Sequence, residues 1–204
     1  MQSIEIKQEP VFSPLLRQYT LQEFWALPEP QDRSRYELIG GYLFMVPPPA
    51  PPHGRLVARL TKSLIVFLHL NQLDGEVYHP EEPIYRSSEN ATYLIPDMMY
   101  VSEELRKAMG SKRTSADIVF EYASKSTAVY DRTTKADTYL ALGVRELWIV
   151  DFATKTIEVR VSIKHNNKPA WEVHRYSQTE TAESTVLPGW QVSVGQVFEG
   201  LDEE

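Results

Sequence analysis

Two segments, residues 117–123 and 145–152, constrain the fold of this 204-residue chain more than any other feature. Ile118-Val119-Phe120 with Tyr122-Ala123, and Leu147-Trp148-Ile149-Val150, are apolar at consecutive positions instead of alternating. A strand of that kind has both faces covered, so each belongs near the middle of a sheet with other elements packed on either side. Residues 124–130 read as a loop. Asp131 stands where an N-cap is expected, residues 133–142 read as a helix, and Gly143 stops it.

The flanking elements follow from turn and capping signals. Residues 1–19 read as a flexible segment preceding a single domain over 20–204. Thr20-Leu21-Gln22-Glu23 has the form of a capping box, and the short helix it starts ends before Pro28. Residues 36–39 and 42–46 flank Gly40-Gly41, which predicts a tight hairpin. The proline-rich stretch 47–52 admits neither helix nor central strand and reads as a stiff extended spacer. Leu56, Val57, Leu60, Leu64, Phe67 and Leu68 recur at helical spacing and predict the longest helix, from His53 to about Leu70. Residues 76–85 read as one irregular strand, and 92–95 with 98–101 as another running through Pro96-Asp97. The segment 103–115 carries Arg106, Lys107, Lys112 and Arg113 and reads as a loop or short helix. Residues 156–163 and 170–176 predict a hairpin across 164–169. Short strands at 186–187 and 191–194 flank Pro188-Gly189-Trp190. The fold class expected is α/β (α+β): a central mixed sheet flanked by helices, with an N-terminal hairpin and an antiparallel C-terminal extension.

Composition excludes several function classes. The chain has no cysteine, so neither disulfides nor cysteine-based zinc sites arise. It contains no apolar run of membrane-spanning length and no apolar stretch of signal-peptide type near Met1, so a cytoplasmic chain without a membrane partner is expected. His69, His79, His165 and His174 lack ligand spacing, and phosphate-loop, dinucleotide and nucleophile-elbow patterns are absent. The net charge of −7 counts against broad nonspecific nucleic-acid binding, because basic residues supply most of that affinity.

What remains as chemistry is a set of charged positions in the middle third. Asp97 follows Pro96 inside a strand signal, where aspartate is disfavoured. Glu121 ends an apolar strand, where a carboxylate needs a partner or a cation. Taken alone, Asp97 also reads as a turn or cap residue and Glu121 as half of a salt bridge. Together, two strand-borne carboxylates can share one divalent cation, and Mg2+ is served by one or two carboxylates completed by waters and phosphate. Lys135 lies one helical turn after Asp131 and shares its face. It can orient a nucleophile and offset developing charge, or form an ordinary ion pair. Lys125, in the loop after Glu121, competes for that role. Glu37 on the hairpin and His53 at the start of the long helix are further candidate ligands or bases.

At these residues the chain resembles the Uma-two family of restriction-endonuclease-like proteins, in the PD-(D/E)XK nuclease superfamily. The resemblance runs from about Tyr36 to Tyr176. It rests on the ordered set Tyr36-Glu37-Leu38-Ile39-Gly40-Gly41, the proline stretch into His53, Pro96-Asp97, Ile118-Val119-Phe120-Glu121, Ser124 with Ser126-Thr127, Asp131 with Lys135, and the segment 143–151. The resemblance implies a restriction-endonuclease-like fold and Mg2+-dependent hydrolysis of DNA phosphodiesters (Mn2+ as a substitute), with Asp97 and Glu121 as metal ligands. The superfamily pattern puts lysine two residues after the acidic one, where this chain has Ala123. The resemblance places the lysine on the next helix, at Lys135, and makes Glu37 the additional acidic residue. Lys125 stands where the family often carries proline.

The expectation is therefore an endonuclease acting on DNA, as duplex, through Asp97, Glu121, Lys135, Glu37 and His53. It is expected to work as a homodimer joined through the C-terminal strands or the Trp190 region, with Arg106, Lys107, Lys112 and Arg113 available to the DNA backbone. The alternatives are a catalytically silent binding module on the same scaffold and a nuclease for another nucleic acid such as RNA.

Overall fold

The structure is a computed structural model that describes residues 17–49, 51–88, 91–123 and 127–201. Its strands are β1 (Arg35–Ile39), β2 (Tyr42–Val46), β3 (Gly75–Tyr78), β4 (Ile84–Arg86), β5 (Thr92–Leu94), β6 (Met98–Ser102), β7 (Ile118–Ala123), β8 (Glu146–Asp151), β9 (Thr156–His165), β10 (Lys168–Tyr176), β11 (Thr181–Glu183) and β12 (Gln191–Ser193). Helices α1 (Leu21–Trp25), α2 (His53–Leu70) and α3 (Glu103–Met109) precede α4, a continuous run of Ala128–Tyr130, a π-helical turn Asp131–Lys135, and Ala136–Ala141. The last helix is α5 (Val194–Phe198).

A six-stranded sheet in the order β10-β9-β8-β7-β6-β3 forms the centre. Every pairing is antiparallel except β7 with β8, which α4 connects. All six residues of β7 and of β8 are buried, as their unbroken apolar runs require. On one face Phe120, Trp148, Met98 and Ile118 pack under the apolar stripe Leu56, Leu60 and Leu64 of α2. On the other, Val119, Leu147 and Ile149 pack against Ala136 and Tyr139 of α4. A second sheet, β2-β1-β5-β4, forms with α1 a smaller core around Tyr19, Leu38 and Leu43.

Several expectations hold at residue level. Thr20 and Glu23 form the reciprocal capping box, with Glu23 N–H donating to Thr20 Oγ1 at 3.2 Å and Thr20 N–H to Glu23 Oε2 at 2.9 Å. Gly40 and Gly41 take φ of 59° and 84°, the left-handed pair a two-residue hairpin turn needs. The long helix spans His53–Leu70.

Others are corrected. Gln18 bridges to Tyr42 and Tyr19 is buried, so residues 18 and 19 are part of the fold and not a loose lead-in. The segment read as one strand over 76–85 is split between the two sheets as β3 and β4, because Pro80 and Pro83 cannot continue a ladder. Likewise β5 and β6 belong to different sheets, and Ile95-Pro96-Asp97 is the corner between them. Helix α4 begins three residues before Asp131, whose N–H donates to Thr127 O at 2.9 Å, so Asp131 lies inside the helix and is no N-cap. The β9–β10 hairpin closes on Asn166-Asn167, both at positive φ, and is longer than expected. Residues 186–187 form no strand, and 194–198 form α5 instead.

Candidate active site

The β6–β7 register pairs Met98 with Phe120, which makes Asp97 and Glu121 the next pair outward along the ladder. Glu121 lies on the face covered by α4, since β7 alternates Phe120 toward α2 and Val119 toward α4, whereas Asp97, at the corner before β6, also meets His53 at the start of α2. The π-helical turn carries Asp131 and Lys135, both buried, to the same place. Widened helical turns of this kind occur often at functional sites. Lys135 Nζ lies 2.7 Å from Glu121 Oε1 and 3.2 Å from Glu37 Oε1. Tyr139, one turn further along α4, donates its hydroxyl to Glu121 Oε1 at 2.5 Å. Glu37 reaches in from β1, where it also accepts from Ile95 N–H at 3.1 Å and from the Tyr130 hydroxyl at 2.9 Å.

Asp97 is held from three sides. Tyr122 N–H donates to Oδ2 at 2.9 Å, and Arg35 donates to Oδ1 at 3.2 Å. His53 Nε2 lies 3.2 Å from the same Oδ1 but off the hydrogen-bonding direction, and is buried without a hydrogen-bond partner among the described residues. The five residues expected to form the site are thus brought together. Lys125, the competing lysine, and Ser124 and Ser126 of the family resemblance lie outside the described residues.

The electrostatics follow from the charge count. Four carboxyl groups, Glu37, Asp97, Glu121 and Asp131, are buried beside two permanent cations, buried Lys135 and half-buried Arg35. Burial and the neighbouring carboxylates drive Glu121 well above the usual carboxylate range even though Lys135 pulls the other way. Burial likewise pushes Asp131 up to about 6, against the pull of Lys135 and a hydrogen bond from Thr127. Burial also opposes the charge on Asp97, but His53, Arg35 and Lys135 outweigh it and hold this carboxyl well below its ordinary value. Burial opposes the charge on Lys135 too, and Glu121 with Glu37 overcome it, so the ammonium keeps its proton.

This surplus of acid is what a divalent cation would relieve. Among the described residues no three His, Asp or Glu side chains come together as a metal cage. The donor set is a pair of hard carboxylates on neighbouring strands, suited to an ion that keeps waters and phosphate in its shell, such as Mg2+. Asp97 and Glu121 therefore fit such an ion, with two elementary charges to offset if all four carboxyls ionise and His53 is neutral.

These groups lie at the floor of a cavity of about 410 Å3. Its walls include Pro47, Pro48, Pro49, Pro51 and Pro52, so the stretch read from sequence as a spacer encloses the site. Sequence reasoning missed Arg35 and Tyr139 and undervalued Asp131. Period-two spacing puts Arg35 on the face of Glu37, and the four-residue spacing that links Asp131 to Lys135 reaches Tyr139 next. The basic segment expected to meet DNA is elsewhere. Helix α3 follows the far end of β6, about 17 Å along the strand from Asp97. There Lys107 pairs with Glu103 at 2.6 Å and Arg113 with Glu82 at 2.7 Å. Trp190 is buried against Trp148 and Phe120, which removes it as a dimer surface.

Comparison with known proteins agrees with this architecture. A solved structure from Anabaena variabilis ATCC 29413, titled as a putative nuclease belonging to DUF820, superposes with a TM-score of 0.67 over 88% of this chain and 97% of its own, at 18% identity. At that identity the likeness is one of fold. No curated protein sequence matches. The family described as "Uma2: Putative restriction endonuclease" matches residues 21–195, most of the chain and every site residue named above. The chain belongs to the Uma2 family.

Proposed function

We propose that the protein hydrolyses phosphodiester bonds of DNA with Mg2+, Mn2+ serving as a substitute. The observation that carries this reading is the convergence of Asp97, Glu121 and Lys135 at the floor of one cavity, with acid in excess of base. Asp97 and Glu121 would hold the ion, which when bound polarises a phosphoryl oxygen and lowers the pKa of an attacking water. The chain's own groups divide the remaining work. Lys135 keeps its proton and presents Nζ to the phosphate or the water, where charge develops in the transition state. Glu37 fixes Lys135 through its carboxylate, and Tyr139 fixes the Glu121 carboxyl. Arg35 and His53 orient Asp97 and can transfer their contacts to substrate phosphate. A homodimer would serve two strands, and with Trp190 buried the outer edge of β10 is the C-terminal surface left for it.

Cleavage of DNA, offered as supercoiled plasmid and as single strand with Mg2+ or Mn2+, is expected for the wild type and lost in Asp97→Ala and Lys135→Met purified in parallel. Equal cleavage by wild type and Asp97→Ala would remove Asp97 from the mechanism. One observation favours a second reading, a catalytically silent binding module: Asp97 is already engaged by Arg35 and Tyr122 N–H, and Glu121 by Lys135 and Tyr139. Calorimetry separates the two. Mn2+ binding that disappears in Asp97→Asn supports the nuclease, and no binding supports the module.

A further inference from the structure

The reacting groups are at the bottom of a pocket and not on a surface. Asp97 is 6% exposed, Glu121 2% and Lys135 1%. Phosphates of an intact duplex lie on its convex outside, so they cannot descend to such a floor unless the strand leaves the helix. Above the floor the wall is apolar: Pro47, Pro48, Pro51, Pro52, Leu56 and Phe152. Its volume of about 410 Å3 lies in the range of about 300–1,000 Å3 usual for small-molecule sites. On one lining residue, Tyr122, the hydroxyl has no hydrogen-bond partner among the described residues. Tyr122 is 7% exposed, so its hydroxyl is desolvated without compensation. The Tyr122 and His53 rings stand edge to face, with centroids 5.2 Å apart.

From this geometry we infer that the substrate is an unpaired nucleotide, whose base enters the proline-walled pocket and whose phosphate reaches the carboxylates. The inference rests on the nuclease reading and departs from the duplex expected from sequence. A base has two apolar faces for the proline and phenylalanine wall and a polar edge for the unpartnered Tyr122 hydroxyl. An unpaired strand also needs few phosphate-binding cations, which suits a chain of net charge −7 whose pocket cations, Arg35 and Lys135, are already paired with carboxylates.

The test uses three labelled DNA oligonucleotides of one sequence: a single strand, a perfect duplex, and a duplex with a short unpaired bulge. Binding is read by fluorescence anisotropy in EDTA and cleavage in Mg2+ or Mn2+. The single strand and the bulge are expected to bind at least tenfold more tightly than the perfect duplex and to be cut at the unpaired positions. Ala153→Trp, at the exposed rim of the pocket, should weaken single-strand binding at least tenfold while leaving Mn2+ binding unchanged. Tyr122→Phe, which keeps the ring, should reduce it severalfold; a purely structural hydroxyl would leave it unchanged. Perfect duplex bound and cut as well as single strand would overturn the inference and leave the nuclease reading standing. Preferential single-strand binding without cleavage would uphold the pocket and overturn the nuclease reading. Binding of none of the three would overturn both.

Discussion

Lys135 is the side chain on which the buried cluster turns. Breaking a buried ion pair by removing one partner costs about 3–5 kcal/mol, because the remaining charge is left uncompensated. Lys135→Met should therefore destabilise the protein by about that amount, and adding Glu121→Gln should restore most of it. Urea denaturation of the two single variants and the double variant measures the coupling; strictly additive effects would show that the pair is not coupled. Asp131 is the opposite case. Its carboxyl titrates near 6 when folded and near 3.8 when free, so the folded chain holds that proton more tightly. Stability contributed by this group falls as pH rises from about 4 to about 6 and stays lost above. Asp131→Asn should thus stabilise the protein at pH 7 by up to about 3 kcal/mol and leave it unchanged below about pH 4. Melting temperatures in EDTA at the two pH values check the sign. Asp97 acts in the other sense, its depressed carboxyl stabilising above its free value and losing that contribution on acidification. At this scale the charged residues were legible in sequence because aspartate and glutamate in apolar strand signals need a reason to be there. Their mutual satisfaction was not, because it depends on Arg35 and Tyr139, which carry no such anomaly.

Among the elements, β8 is anchored by a carboxylate with no place in the site. Glu146 is fully buried and accepts from Thr185 N–H at 2.9 Å, Val186 N–H at 3.0 Å, the Thr185 and Ser184 hydroxyls, and Trp148 Nε1. It ties the central sheet to the turn before β12, and its loss leaves several buried donors unpaired. Glu146→Ala should cost at least about 3 kcal/mol in chemical denaturation. Mn2+ affinity of the folded fraction should be unchanged, since Glu146 opens β8 whereas the site lies at the far end of the β7–β8 pair. A change in affinity would mean that the two ends of the sheet are coupled. Elements with a local cause were readable: the capping box of α1, the glycine turn after β1, the apolar stripe of α2. Elements whose boundaries depend on tertiary pairing were not. The proline corner at Pro96 looks locally like an interruption in one strand, and only the allocation of β5 and β6 to different sheets reveals it as a crossover. The early start of α4 was hidden for a similar reason, since the widened turn at Asp131–Lys135 shifts the face on which the apolar positions fall.

For the molecule as a whole, net charge and pocket depth make a joint statement about nucleic-acid binding. A protein that grips DNA through its backbone neutralises many phosphates, and its affinity falls steeply with salt. Here the cations lining the cavity are Arg35 and Lys135, and both are held by carboxylates. The basic residues of α3 and the segment after it lie at the other end of β6, with Arg106, Lys107 and Arg113 in ion pairs. Arg132, beside the site, is paired with Asp151 at 2.7 Å. Binding through the pocket therefore engages about two cations, and each phosphate neutralised on a single strand contributes about −0.7 to the slope of log affinity against log salt. The expected slope is about −1 to −2, measured by anisotropy with a labelled single strand between about 50 and 200 mM salt. A slope steeper than about −4 would mean that a broad basic surface is engaged and that recognition begins outside the cavity. The shallow slope would instead place most of the affinity in base contacts with the apolar wall, which salt screens weakly. Affinity would then depend on pocket-filling substitutions at Ala153 more than on neutralising Lys107 or Arg113.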